Sequence, residues 1–152
     1  MSDSIVLNET QTFTIENYGF GNLPLEVANE VLKDGRTFSH FIERWIPNQP
    51  QYSSLIWING CKEYDFVDDK NIKYDEKTFT CNGCKFVPSN MLGAGRTFDK
   101  EVFEKKANNL VYCIVSNVNF PEIKIKFVKG SELIKIYPKG SIPLKDHVKF
   151  FN

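Results

Sequence analysis

Two short stretches of this chain carry side chains at a spacing that can do chemistry. Asp75 and Lys77 fall two residues apart in "NIKYDEKTFT", and Asp65 stands ten residues before Asp75 in "KEYDF". Magnesium takes hard oxygen ligands, usually one or two carboxylates from the protein, with water and phosphate supplying the rest. A cation held in this way offsets the negative charge that develops when a phosphodiester is attacked, and it activates a nearby water. The smallest protein apparatus for this is an acid at one strand end, a second acid on the neighbouring strand, and a lysine two residues beyond it. Side chains alternate along a strand, so positions i and i+2 share a face and the second acid meets the lysine at one point. Asp65, Asp75 and Lys77 fit that arrangement. Glu76 faces the other way and is given no ligand role. The plain alternative makes Asp65, Asp68 and Asp69 turn residues, with Asp75 and Lys77 an exposed cross-strand charge pattern.

The elements that must position these residues are legible in outline. "LPLEVANEVLKDG" (23–35) reads as a short helix, with Pro24 suited to a first turn and Gly35 to a stop. "RTFSHFIERWI" puts Phe38, Phe41, Ile42 and Trp45 on one stripe of an amphipathic helix, which the prolines of "PNQPQ" end. "YSSLIWING" (52–60) is β-prone and closes on an Asn-Gly turn. "NIKYDEKTFT" alternates as a strand, and a tight turn at "NGC" makes 71–87 a hairpin. "FDKEVFEKKANNL" is a further helix. "LVYCIVSNV" is apolar almost throughout, as a strand covered on both faces must be. "EIKIKFV" alternates, with Ile123, Ile125 and Phe127 inward and Lys124 and Lys126 outward, and "GSELIKIYP" is a short helix after the sheet. The expectation is one α/β (α+β) domain over 1–152, a central mixed β-sheet flanked by helices, with residues 1–20 as an N-terminal extension.

"EYDF" followed by "IKYDEKTF" resembles the core motif of the PD-(D/E)XK nuclease superfamily. Asp65 matches its first aspartate, Asp75 its second acid and Lys77 its lysine, while Tyr64 stands where the motif has proline. The element order is similar too, since an amphipathic helix with an acid, Glu43 in "FIERWI", precedes the core strands, and a helix and a central apolar strand follow. The resemblance covers residues 35–128 and implies a restriction-endonuclease-like core. It further implies that Asp65 and Asp75 bind magnesium, which manganese is able to replace, and that Lys77 orients the attacking water and stabilises charge at phosphorus. Glu43 adds a further acid, with Glu26 and Glu30 as rivals on the earlier helix. The implied activity is hydrolysis of double-stranded DNA, of restriction or homing type. One such core cuts one strand, so a homodimer is expected to cut both.

Composition limits the other functions. Lys plus Arg and Asp plus Glu both total 19 in 152 residues, so no net charge draws the chain to a polyanion. Candidates for contact with a DNA backbone are therefore local: Lys85, Ser89, Asn90 and Arg96 around the loop "SNMLGAGRTF", and the outward pair Lys124 and Lys126. That loop is neither a Walker loop nor a dinucleotide fingerprint. Cys81 and Cys84 form "CNGC" at knuckle spacing, but the remaining cysteines, Cys61 and Cys113, and the two histidines, His40 and His147, do not complete a ligand set, so zinc is not expected. No apolar run is long enough to cross a bilayer, and "MSDSIVLNET" lacks the features of a signal peptide. The expected setting is cytoplasmic, inside a host cell if phage-encoded. The competing function is a non-catalytic α/β interaction module whose acidic loop binds a protein partner.

Overall fold

The computed structural model describes residues 4–60 and 63–152. The chain is an α+β fold built on a mixed sheet. In order it forms β1 (Thr10–Thr14), α1 (Leu25–Lys33), α2 (Gly35–Trp45), β2 (Ile56–Trp57), β3 (Phe66–Val67) and β4 (Lys73–Phe79). There follow β5 (Cys84–Lys85), α3 (Lys100–Ala107), β6 (Val111–Ser116), β7 (Glu122–Lys129), α4 (Gly130–Ile136), β8 (Ser141–Ile142) and α5 (His147–Phe150). The six-stranded sheet runs β1-β7-β6-β4-β3-β2, and β5 pairs separately with β8. Among the strand pairs of the described residues, β4 with β6 is the parallel one. A parallel pair needs a long crossover, and α3 supplies it.

The helices form where the sequence places both a stripe and a cap. Asp34 caps α2, its carboxylate accepting from the Thr37 N–H at 3.1 Å and the Thr37 hydroxyl at 3.0 Å. Phe38 and Ile42 on its inner stripe are wholly buried, each worth roughly 1.5–3 kcal/mol in area removed from water. Asp99 caps α3 by accepting from the Val102 N–H at 3.2 Å. The sheet separates two apolar layers. One joins Leu32 of α1 and Phe38 and Ile42 of α2 to Tyr74, Cys113 and Phe127. The other joins Phe103 of α3, Leu133 of α4 and Phe150 of α5 to Phe79, Tyr112 and Ile114. All six residues of β6 are buried, as a strand between two layers requires.

Three local expectations change. The stretch read as an N-terminal extension enters the sheet, because β1 pairs antiparallel with β7 from Thr10↔Lys126 to Thr14↔Glu122. The β-prone run 52–60 keeps only Ile56 and Trp57 as strand, since a 3₁₀ turn holds Pro50–Tyr52. The hairpin over 71–87 does not propagate. Thr80 and Gly83 exchange backbone hydrogen bonds of 3.0 and 2.9 Å across the turn, with Gly83 at φ +89°, but β5 then leaves to pair with β8. β6 lies along one edge of β4 from Tyr74 to Phe79, and β5 takes β8 as its partner and leaves the other edge of that half open. Among the described residues, no helix is long and apolar enough to cross a membrane.

Candidate active site in a carboxylate-lined cleft

The β3–β4 hairpin sets the site. Its register pairs Phe66 with Tyr74 and Val67 with Lys73, and one further step puts Asp65 opposite Asp75. The turn between them is held by Asp68, whose Oδ1 accepts from the Lys70 and Ile72 N–H groups at 2.9 Å each, while Oδ2 accepts from the Tyr74 hydroxyl at 2.8 Å. The acidic run therefore divides into two jobs. Asp68 is a turn residue, and Asp65 is not. Because β3 pairs with only two residues of β4, the edge of β4 lies open beyond Tyr74, and the Asp65 carboxylate accepts the Glu76 N–H there at 2.8 Å.

Asp75 and Lys77 share the α3 face of β4, as strand alternation requires, and Lys77 Nζ stands 3.4 Å from Asp75 Oδ2. Asp75 is 8 % exposed, so the pair is largely out of water. Glu76 points to the α2 face and is also buried, accepting from the Ser39 hydroxyl at 2.7 Å and the Thr78 hydroxyl at 3.0 Å. The Ser39 hydroxyl lies 3.5 Å from Glu43, one turn along α2. These side chains line one open cleft of about 650 Å³, with Arg36 and His40 of α2 beside them.

Crowding of carboxylates in a half-dry cleft shows in their proton affinities. Burial, the charge of Asp75, a hydrogen bond shared with Asp75, and the charge of Glu43 together push Asp65 up to about 9, against the opposing pull of the Glu76 N–H. Burial pushes Glu76 up to about 8, although the Ser39 and Thr78 hydroxyls oppose it. Burial also raises Glu43, with His40 and hydrogen bonds to Asp65 and Trp57 pulling the other way. Burial works to strip Lys77 of its proton, but Asp75, Glu76 and Asp65 outweigh it and hold the ammonium above its ordinary pKa. The Lys77 ammonium thus stays charged beside a cluster of carboxyl groups. Neighbouring carboxyls that raise one another in this way suit a divalent cation, which would relieve their repulsion. Among the described residues no three His, Cys, Asp or Glu side chains stand as a ready-formed metal cluster. Two carboxylates are nevertheless what magnesium ordinarily draws from a protein.

The residues expected at the site distribute unevenly. Asp65, Asp75, Lys77 and Glu43 come together, and Lys85 and Ser89 line the same cleft. Glu26 and Glu30 are exposed on α1 and take no part in its lining. Asn90 lines an adjoining pocket, and Arg96 lies exposed on its loop outside both. Lys124 and Lys126 do not form a free basic row. Lys126 donates to the Phe150 carbonyl at 2.6 Å, and Lys124 stands 3.8 Å from Glu122. Cys81 is exposed while Cys84 is buried, so the two thiols do not open on one place, and Cys61 lies outside the described residues. His147 is hydrogen-bonded to Ser116 at 2.7 Å, but both are buried, with the Phe79 and Phe151 rings against the imidazole. That pair is closed to substrate.

Sequence reasoning missed Arg36, Ser39 and His40. The available signal was their spacing with Glu43, which makes one polar face of the helix whose apolar stripe was recognised. No protein-family model matches the chain, and no curated protein or solved structure matches it either.

Proposed function

We propose that the chain is a magnesium-dependent endonuclease that hydrolyses phosphodiester bonds of DNA, of the PD-(D/E)XK type that its motif resembles. The observation that carries this reading is the meeting of two carboxyls, Asp65 and Asp75, with the Lys77 ammonium at the open edge of β4. The order of α2, the four strands β2 to β5, α3 and the buried strand β6 supports it as well. Asp65 and Asp75 would hold the magnesium or manganese ion, which when bound supplies positive charge at the phosphate and a more acidic water. Lys77 donates to the attacking water or to a non-bridging phosphate oxygen, where negative charge grows as the reaction proceeds. Glu43, held protonated more readily than an exposed acid, sits where it can exchange a proton with Asp65. In the reaction the water oxygen bonds to phosphorus, the ester P–O bond breaks, the nucleophile gives up a proton, and the leaving oxygen takes one. Two copies of the chain acting as a homodimer would cut both strands, as restriction and homing enzymes do.

The test is cleavage of supercoiled plasmid in magnesium and in manganese, by the natural chain and by Asp75→Asn and Lys77→Ala. Loss of one stabilising donor ordinarily costs about 10²–10³ in rate. Each variant is therefore expected to fall at least that far while circular dichroism shows an unchanged fold. Absence of cleavage of duplex DNA, single-stranded DNA and RNA in both metals overturns the proposal, and a protein-binding module becomes the better reading.

A further inference from the structure

A second pocket of about 620 Å³ adjoins the catalytic cleft, with Ser89 on the wall of both. Tyr64 forms part of its lining, and Lys73 Nζ lies 5.1 Å from the centre of the Tyr64 ring. Lys73 occupies the same face of β4 as Asp75 and Lys77, so the pocket begins one strand repeat, about 7 Å, from the carboxylates. Lys105 and Lys106, in the last turn of α3, supply two more cations, and the Asn90 amide adds a polar edge. Among the described residues, none of the three lysines is in a salt bridge with an acid. Glu63 also lines the pocket, but three ammonium groups outnumber its carboxylate. An aromatic ring with these ammonium groups and an amide beside it, one residue pair from a phosphate-cutting centre, has the chemistry of a nucleotide subsite. Rings accept any base face by stacking, and lysines follow the phosphates.

We infer that this pocket takes the nucleotide next to the scissile phosphate, with its base stacked on Tyr64 and its phosphate between Lys105 and Lys106. The inference rests on the nuclease reading for the identity of the neighbouring site. It adds that the strand being cut has one nucleotide turned out of the helical stack, either single-stranded or flipped from a duplex. A continuous duplex keeps its base faces covered and offers nothing for the Tyr64 ring to meet.

The test is fluorescence anisotropy with a fluorescein-labelled single-stranded oligothymidylate in calcium, comparing the natural chain with Tyr64→Leu and the Lys105→Gln/Lys106→Gln double variant. Leucine keeps an apolar side chain against the core and removes the stacking face. Stacking is worth about 1–3 kcal/mol per base, so Tyr64→Leu is expected to weaken binding by about 5- to 160-fold. Each lysine contributes about 0.7 to the slope of log affinity against log salt for a single strand, so the double variant is expected to flatten that slope by about 1.4. Both variants should retain the melting temperature of the natural chain within a few degrees. Affinity unchanged in a folded Tyr64→Leu, or no binding of the oligonucleotide by the natural chain, overturns the subsite. Plasmid cleavage reports on the catalytic reading separately: a chain that cuts but does not need Tyr64 keeps the nuclease and loses the subsite. A chain that binds through Tyr64 but never cuts does the reverse.

Discussion

Replacing Asp65 with asparagine should make the metal-free protein more stable. In the folded chain Asp65 faces Asp75 and Glu43 in a half-dry cleft and keeps its proton up to about pH 9. The unfolded chain ionises the same group freely near 3.8. Between those two values the native state binds one proton more than the unfolded state, so stability falls as pH rises, and it levels off above the folded pKa. At 1.36 kcal/mol per unit, the ceiling on this loss at neutral pH is ~4 kcal/mol. Remaining solvent contact, proton sharing with Asp75 and local relaxation reduce it to about 1–3 kcal/mol. Asparagine has no proton to hold, and its carbonyl can still accept the Glu76 N–H now bound at 2.8 Å. In a chain of this size each kcal/mol moves the melting temperature by roughly 2–4 °C. Thermal melts in a chelator should therefore show Asp65→Asn above the natural chain by several degrees, with a gap that widens from about pH 5 to about pH 8. On the proposed function the natural chain should gain stability in millimolar magnesium, and this variant should lose both that gain and plasmid cleavage. A variant that melts lower, or a gap that does not change with pH, would show that the carboxyls do not face each other, and the ion-site reasoning would fall with them.

Ser39→Ala removes the hydroxyl that bonds Glu76 at 2.7 Å and leaves one oxygen of a buried carboxyl without that donor. The expected loss is about 1–2 kcal/mol. Because the lost bond had been lowering the Glu76 pKa, the deficit should grow as pH rises through about 8, which urea titrations on either side of that value will reveal. Gly130→Ala would put a methyl carbon 1.9 Å from the Ala107 carbonyl oxygen, where α4 begins against the end of α3. Backbone has to move to accept it, so a loss of about 3 kcal/mol or more is expected in the same urea titration, with cleavage per folded molecule unchanged.

What could be read from the sequence was whatever depends on neighbours along the chain. Strand alternation placed Asp75 with Lys77 and turned Glu76 away, and β4 has that geometry. The stripe of α2 and the all-apolar run of β6 were equally plain, since a period of 3.6 or an uninterrupted apolar segment reports its own burial. What depended on distant partners was not legible. "TQTFT" is too short to declare itself a strand, and it becomes β1 only because the edge of β7 is available. The turn at Thr80–Gly83 looked like the tip of a hairpin, and only the distant strand β8, which β5 pairs with instead of β4, shows otherwise. Lys126 looked free on an alternating strand until α5 folded back to offer it the Phe150 carbonyl.

The site divides along the same line, and the division says why its charge is buried. β4 crosses between the two apolar layers with ionisable groups on both faces, Asp75 and Lys77 toward α3 and Glu76 toward α2. A strand in that position ordinarily carries apolar residues, as β6 beside it does from Val111 to Val115. Alternation along β4 cannot explain the exception, because both faces of a central strand look inward. The explanation is the shortness of β3, which stops pairing at Tyr74 and leaves the second half of β4 with an open edge into the cleft. Carboxyls can be kept there because their polar ends reach hydroxyls, the Glu76 N–H and the Lys77 ammonium, even though most of their surface is covered. A sequence that gives up apolar packing in its central strand at the one place where the sheet opens loses stability in the free protein. On the proposed function, a divalent cation held by Asp65 and Asp75 would offset that loss by neutralising the crowded carboxyls.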